Sequence, residues 1–432
     1  MISSELESSN GHLILGGVDS VDLAHKYGTP LVVYDVGEIR KQIQDFRTGF
    51  EDSGFKYEIS YASKAFATVA MYQVLKQEHL HTDVVSGGEL FTALKAGFPA
   101  EKISFHGNNK SLDELEMAVD NQIGVIIIDN FYEIKLLERV LNEKKASINV
   151  MLRLTPGISA HTHKYDQTGQ VDSKFGFDVE SGQAEKALQL VMKNENMNLI
   201  GIHAHIGSQI FGIEGFTLLA HKMVEIVADW HKKYNFTARV INLGGGFGIS
   251  YTADDEPIAP SVFIKQITDT IKADSQNDDL PLPEIWIEPG RSIVGPAGYN
   301  LYTVGSHKDI PNLKSYINVD GGMGDNIRPA LYQAKYEAVV ANNMDAKATQ
   351  EAHVSGKYCE SGDILIDSVK LPEVEPGDVL AMLDTGAYGY SMASNYNRNP
   401  RPAVVFVENG QDKLVVKRES YEDLTRLDLN YL

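Results

Sequence analysis

From Tyr57 onward, short apolar and β-branched runs alternate with longer stretches whose apolar positions recur at helical spacing. Eight runs stand out: YEISYA from Tyr57, HTDVVS from His81, KISFHG from Lys102, GVIIID from Gly124, SINVMLRL from Ser147, LIGIHAHI from Leu199, RVINLGGG from Arg239 and EIWIEPG from Glu284. Between them lie amphipathic segments such as GELFTALKAG, SLDELEMAVD, FYEIKLLERVL and GFTLLAHKMVEIVADWHKKY, several opening on a Ser, Asp or Gly cap and closing on Gly or Asn. Strands alternating with helices in this way predict an α/β fold, a parallel (β/α)8 TIM-like barrel.

After about Val294 the pattern changes. KSYINVD, AKYEAVV, ATQEAHVSG, DILIDSVKL, DVLAMLD and AVVFVENGQDKLVVKR are strand-like and closely spaced, with PEVEPGD and ENGQD as turns. They predict a C-terminal β-barrel or β-sandwich domain. The early strand in YGTPLVVYD has no helix partner and is expected to pack onto it. The expected division is a barrel over residues 36–292 and a β-rich domain built from residues 1–35 and 293–432. The longest loop, GISAHTHKYDQTGQVDSKFGFD, has the length of a functional segment.

A barrel of this kind carries its chemistry at the C-terminal ends of its strands, so unusual residues should follow the apolar runs. They do: Lys64, Asp83 with Ser86-Gly87-Gly88, His106, Asn130, Arg153, His205 with Ser208, the glycines from Gly244, and Glu288-Pro289-Gly290-Arg291 all occupy strand exits.

Composition narrows the partners. The chain has 432 residues, room for two domains, and a formal charge of −20. That balance argues against nucleic acid and anionic membranes, which need a positive surface. No apolar run approaches the roughly 20 residues that span a bilayer. The opening MISSELESSNGHLILGG is polar and acidic, unlike a secretory leader. Cys359 is the only cysteine, so no intrachain disulfide forms, and the expected compartment is a reducing cytoplasm.

Each candidate has a plain reading beside the chemical one. Lys64 in YASKAF could be an exposed lysine opening a helix. Yet a helix N-terminus disfavours a cation, and a half-buried lysine with a lowered pKa is the usual attacking group for an aldehyde cofactor. Glu288 ends an apolar strand, where a carboxylate needs a cation or a donor. An arginine would satisfy it; opposite a lysine-bound pyridoxal phosphate, it would keep the ring nitrogen protonated so that the ring accepts electrons. NLGGGFGIS supplies backbone N–H groups that can wrap a phosphate, though tight strand-to-helix turns also use glycine. His205 is either a satisfied core histidine or a ring that stacks on a flat cofactor, with Ser208 reaching a phosphate oxygen. His161 and His163 have H-x-H spacing but no completing ligands, so no metal is expected. KYCESGDIL groups Cys359, Glu360 and Asp363, an ordinary acidic turn or a proton donor beside a carboxylate that holds an ammonium. Arg291 with Arg328 offers two guanidinium forks, which suit a carboxylate.

In order along the chain, YASKAF, DVVSGGEL, GNNKS, TGQVDSKFG, HIGSQI, GGGFG, EPGRS, CESGD and GAYGYSMAS with YN close behind resemble the fold-type III pyridoxal-phosphate decarboxylases, most closely the branch acting on diaminopimelate. The resemblance spans nearly the whole chain. It implies a pyridoxal 5'-phosphate cofactor, a small amino-acid substrate, and a homodimer with shared active sites. The implied reaction takes meso-2,6-diaminopimelate to L-lysine and CO2, the last step of lysine biosynthesis. It further implies Lys64 as the lysine that holds the cofactor aldehyde, His205 as the stacking ring and Glu288 at the ring nitrogen. Ser208, Gly245, Gly246, Gly290, Arg291 and Tyr388 match cofactor positions. Arg291, Arg328, Tyr332, Glu360 and Tyr388 match substrate positions, and Cys359 the proton donor from the partner subunit. Phe66 and Ala204 depart from residues frequent in relatives, at positions without assigned chemistry. Decarboxylases of ornithine, lysine, arginine or carboxynorspermidine share the lysine, glycine and EPGR elements and remain the alternative. Alanine racemase does not account for KYCESGD, and a non-catalytic cofactor carrier would end after one barrel.

Overall fold

The computed structural model describes residues 6–158 and 173–432. His161, His163 and the TGQVD part of the long loop lie outside the described residues. The chain divides into two compact units, Gln42–Gly248 with Pro257–Ser292, and Met1–Lys41 with Ile249–Glu256 and Ile293–Leu432.

The first unit is an eight-stranded parallel barrel. Its strands are β1 (Tyr57–Ala62), β2 (His81–Val84), β3 (Ile103–Phe105), β4 (Val125–Ile128), β5 (Ile148–Thr155), β6 (Met197–His203), β7 (Val240–Asn242) and β8 (Glu284–Ile287). Each pairs in parallel with its successor, and β8 closes on β1 through Ile285 opposite Tyr57 and Ile287 opposite Ile59. Closure pairs every strand on both sides, which is why these strands read as near-continuous apolar runs. Val125, Ile127, Met151, Ile200, Val240 and Trp286 pack together across β4 to β8. Gly201 sits at a register shift in β6, where a Cβ would lie 2.0 Å from the Val240 carbonyl oxygen; β6 and β7 meet there only because that side chain is missing.

The strand exits double as helix starts. The Ser86 hydroxyl accepts from the Glu89 N–H to open helix Gly87–Lys95. Ser111 and Glu114 form a reciprocal capping box on Leu112–Asp120. Asn130 accepts from the Tyr132 and Glu133 N–H groups at the head of Phe131–Lys144. Ser86 and Asn130, read in the sequence as unusual exit residues, therefore serve as caps.

The second unit is built on a nine-stranded, mostly antiparallel sheet. The early strand Leu31–Asp35 runs through it, antiparallel to Gly298–Ile310 and parallel to Ala403–Glu408. Leu31, Val33, Leu301, Ala381 and Val405 share one core cluster. Val304, Ile317, Val354, Leu365, Leu380 and Met382 share another, joined by Tyr251.

Candidate active site

Four consecutive strands of the closed barrel, β6, β7, β8 and β1, deliver His205, the Gly244–Gly246 turn, Glu288 and Lys64 to their exits. Lys64 lies in a single 3-10 turn, Ser63–Ala65, separate from the helix Val69–Gln77, which Thr68 caps. It is exposed, not half-buried, and no α-helix begins at it, so no helix dipole acts against its charge. The turn is held from below. Asp83 accepts from the Ser63 N–H at 3.0 Å, and Glu89 accepts from the Ser63 hydroxyl at 2.9 Å and the Val85 N–H at 2.8 Å. Burial, with Glu288 nearby, pushes the Asp83 carboxyl well above its ordinary range, and the Lys64 ammonium opposes that shift. The same ammonium lowers Glu89 and opposes protonation of His205.

Glu288 is buried and closely attended. Asn242 Nδ2 donates to Oε1 at 2.7 Å, His203 Nε2 lies 3.0 Å from Oε2, and His106 Nε2 lies 3.0 Å from Oε1. Burial alone would favour the neutral acid; the two imidazoles outweigh it and keep the carboxyl well below its usual range. His106, His203 and Glu288 form the one cluster with metal-ligand spacing among the described residues. Its geometry is equally that of a carboxylate satisfied by donors.

His205 accepts from the Gly245 N–H at its Nδ1, 3.3 Å away, which places its ring proton on Nε2. Burial and the charges of Lys64 and Arg153 hold this imidazole well below its ordinary pKa. The glycine turn is a close-packed corner. A Cβ on Gly245 would stand 2.0 Å from the Glu288 carbonyl oxygen, and Gly246, at φ +117°, would drive one to 2.3 Å from that of Gly207. Arg291, buried, donates to the Ser208 hydroxyl from Nε at 3.2 Å and Nη2 at 2.9 Å. Together these side chains are an amine, a neutral imidazole, an ionised buried carboxylate, and an arginine–serine pair beside a glycine turn. The set suits an anionic, aldehyde-bearing heteroaromatic cofactor.

Pattern reading missed three contributors: His203, Asn242 and Glu89. His203 was legible in principle, since a polar residue at the end of an apolar strand needs a partner.

The β unit carries the other candidates. Arg328 opens the short helix Arg328–Tyr332; it is buried, hydrogen-bonded to the Tyr336 hydroxyl and stacked over the Tyr251 ring at 4.9 Å. Tyr332 is half-buried at the other end of that helix. Cys359 is a free, exposed thiol whose backbone N–H donates to Asn397 Oδ1 at 2.8 Å, and Glu360 beside it is exposed. Asp363 is structural instead: its buried carboxylate accepts from the Met323 N–H at 2.6 Å and the Tyr358 N–H at 2.9 Å, pinning the loop that displays Cys359. Tyr388 has φ +62°, a left-handed conformation that a bulky residue adopts only under constraint.

Residues 36–295 match the family model described as pyridoxal-dependent decarboxylase, pyridoxal binding domain. The chain is 56% identical to the diaminopimelate decarboxylase of Bacillus subtilis over 98% of its own length and 97% of the relative's. It is 47% identical to the enzyme of that name from Staphylococcus aureus, covering 96% and 97%. Among solved structures, the diaminopimelate decarboxylase of M. jannaschii in complex with L-lysine superposes with a TM-score of 0.91 at 34% identity, covering 100% of this chain and 99% of that one. The Helicobacter pylori enzyme with L-lysine gives 0.86 at 32%, over 95% and 99%.

Proposed function

The chain belongs to the pyridoxal-dependent decarboxylases and, within them, to the diaminopimelate decarboxylases; from that premise we propose how its side chains divide the work. Its activity is the pyridoxal-phosphate-dependent decarboxylation of diaminopimelate, in lysine biosynthesis. The observation that carries the assignment of roles is the convergence of an amine, an ionised carboxylate, a neutral imidazole and a glycine turn on adjacent barrel exits.

Pyridoxal phosphate, when bound, supplies an electron sink for the pair released as a carbon–carboxylate bond breaks. Lys64 would be the amine that holds its aldehyde, and His205 would supply the ring that stacks on it. Glu288 meets its ring nitrogen as an anion. Ser208, Gly245, Gly246, Gly290 and Tyr388 hold its phosphate, with Arg291 tied to Ser208 and so placed on the phosphate side as well as at the substrate.

A small amino-acid substrate would be aimed by its far end, because anchoring that end fixes which bond at the reacting carbon can break. For diaminopimelate that far end is a second amino-acid head. Arg291 and Arg328 take its carboxylate, Glu360 its ammonium, and Tyr332 and Tyr388 close around it. Arg328 is supported in this by Tyr336 and Tyr251, which fix the guanidinium before any ligand arrives. Lysine lacks the distal carboxylate and would leave buried guanidinium donors unpaired, a strong basis for rejection. Cys359 Sγ–H then delivers the proton to the carbon that has lost CO2. Its exposure in one chain fits a thiol presented to a second copy in a homodimer with shared sites. An exposed working thiol must stay reduced, which suits a cytoplasmic setting, and no helix among the described residues is long and apolar enough to cross a membrane.

The test is CO2 release from meso-diaminopimelate, lysine, ornithine and arginine, each with the cofactor supplied. Diaminopimelate turning over at least a hundredfold faster than the rest is expected. Comparable turnover of ornithine or lysine would overturn the distal-carboxylate clamp.

A further inference from the structure

Glu288 has more attendants than a buried carboxylate needs to be merely tolerated. The exits of β3, β6 and β7 each send it one group, His106, His203 and Asn242, so three strands converge on the residue that follows a fourth. A carboxylate offers about four lone-pair positions. Asn242 bonds to Oε1 and His203 to Oε2, while His106 Nε2 lies 3.0 Å from Oε1 without a hydrogen bond, so at least one position on Oε2 is uncommitted among the described residues.

His203 decides the charge of the group. Its ring is 1% exposed, and its Nδ1 has no hydrogen-bond partner among the described residues. A protonated ring would bury an unpartnered N–H; a neutral ring with its proton on Nε2 buries only a bare lone pair. Burial accordingly holds this imidazole down to about 4. An imidazolium there would neutralise Glu288 from behind. A neutral donor stabilises the carboxylate by hydrogen bonding and leaves its full negative charge to act on whatever meets the free position.

We propose that His203 is a positioning residue: its neutral imidazole, donating from Nε2, keeps Glu288 ionised and oriented for the ring nitrogen of pyridoxal phosphate. The inference rests on the reading of Glu288 given above, and the experiment separates the two. His203→Phe keeps a ring and loses the donor, whereas His203→Gln loses the ring and keeps an N–H donor; Glu288→Gln is the reference. Each purified variant is stripped of cofactor, titrated with pyridoxal phosphate by fluorescence, and its holoenzyme absorption spectrum recorded, with melting followed by circular dichroism. A donor role predicts that His203→Phe weakens cofactor affinity about tenfold or more and shifts the spectrum toward that of Glu288→Gln, while His203→Gln stays within about threefold of the parent. If the phenylalanine variant does not fold, His203→Leu takes its place. A packing role predicts the reverse order, Phe better than Gln, and that order overturns the proposal. So does an unchanged spectrum and affinity in His203→Phe when Glu288→Gln alters both. Should Glu288→Gln itself change neither, the role assigned to Glu288 fails, and this inference with it.

Discussion

Lys110 shows how much the barrel invests in holding single side chains still. Its ammonium is buried, donating to the Gly107 and Ile127 carbonyl oxygens at 2.8 Å each and to Glu133 Oε1 at 2.7 Å, while Glu133 Oε2 accepts from the Asp129 N–H. Such a pair contributes little net stability over an apolar substitute but is costly to halve, because the orphaned charge has no water. Lys110→Met should therefore destabilise the protein by about 3–5 kcal/mol in a denaturant titration, and Lys110→Met with Glu133→Leu should recover most of that loss. An equal loss in the double variant would mean that packing, not the orphaned charge, sets the penalty. GNNKS was legible as a family motif, but nothing in its spacing told that its lysine is a buried strut rather than a ligand group.

At the scale of elements, the decisive feature is the β7 exit. The turn can press against the β8 exit only because Gly245 has no side chain, with the Glu288 carbonyl oxygen 2.0 Å from where a Cβ would stand. Gly245→Ala should push the two exits apart, weaken cofactor binding at least tenfold and lower the melting temperature; retention of parental affinity would show that the corner can give. All eight strands were readable beforehand, because strands paired on both sides must be apolar along their length. The exits were readable for the complementary reason, since a polar residue directly after such a run has to face the barrel mouth or cap a helix. Sequence did not separate those two uses, as Ser86 and Asn130 show. It also misjudged the turn at Lys64, because AFATVAMYQVL carries helical spacing from a point before Thr68, where the cap actually sits. The allotment of Ile249–Glu256 to the β unit had no local signal at all; Tyr251 reveals it only by its contacts with Tyr336 and Arg328.

For the molecule as a whole, the proposed homodimer with shared sites makes a prediction of its own. Cys359 and Glu360 are exposed on a loop whose own anchor, Asp363, is buried and hydrogen-bonded to the Tyr358 N–H. Mixing Lys64→Ala with Cys359→Ala protein should restore activity through hybrid dimers in which one of two sites is intact, approaching about a quarter of the parental rate at equal mixing. Absence of recovery after verified subunit exchange would place both residues in a site made by one chain.

Lys64, at the exit of β1 and beside the exit carrying Glu288, is proposed as the amine that takes the cofactor aldehyde. Borohydride reduction of the holoenzyme, digestion and mass spectrometry read this directly, since reduction fixes the pyridoxyl group to the nitrogen that held it. The label should appear on the peptide containing Lys64 and vanish in Lys64→Ala. A pyridoxyl group on any other lysine, with Lys64 unmodified, would overturn that assignment.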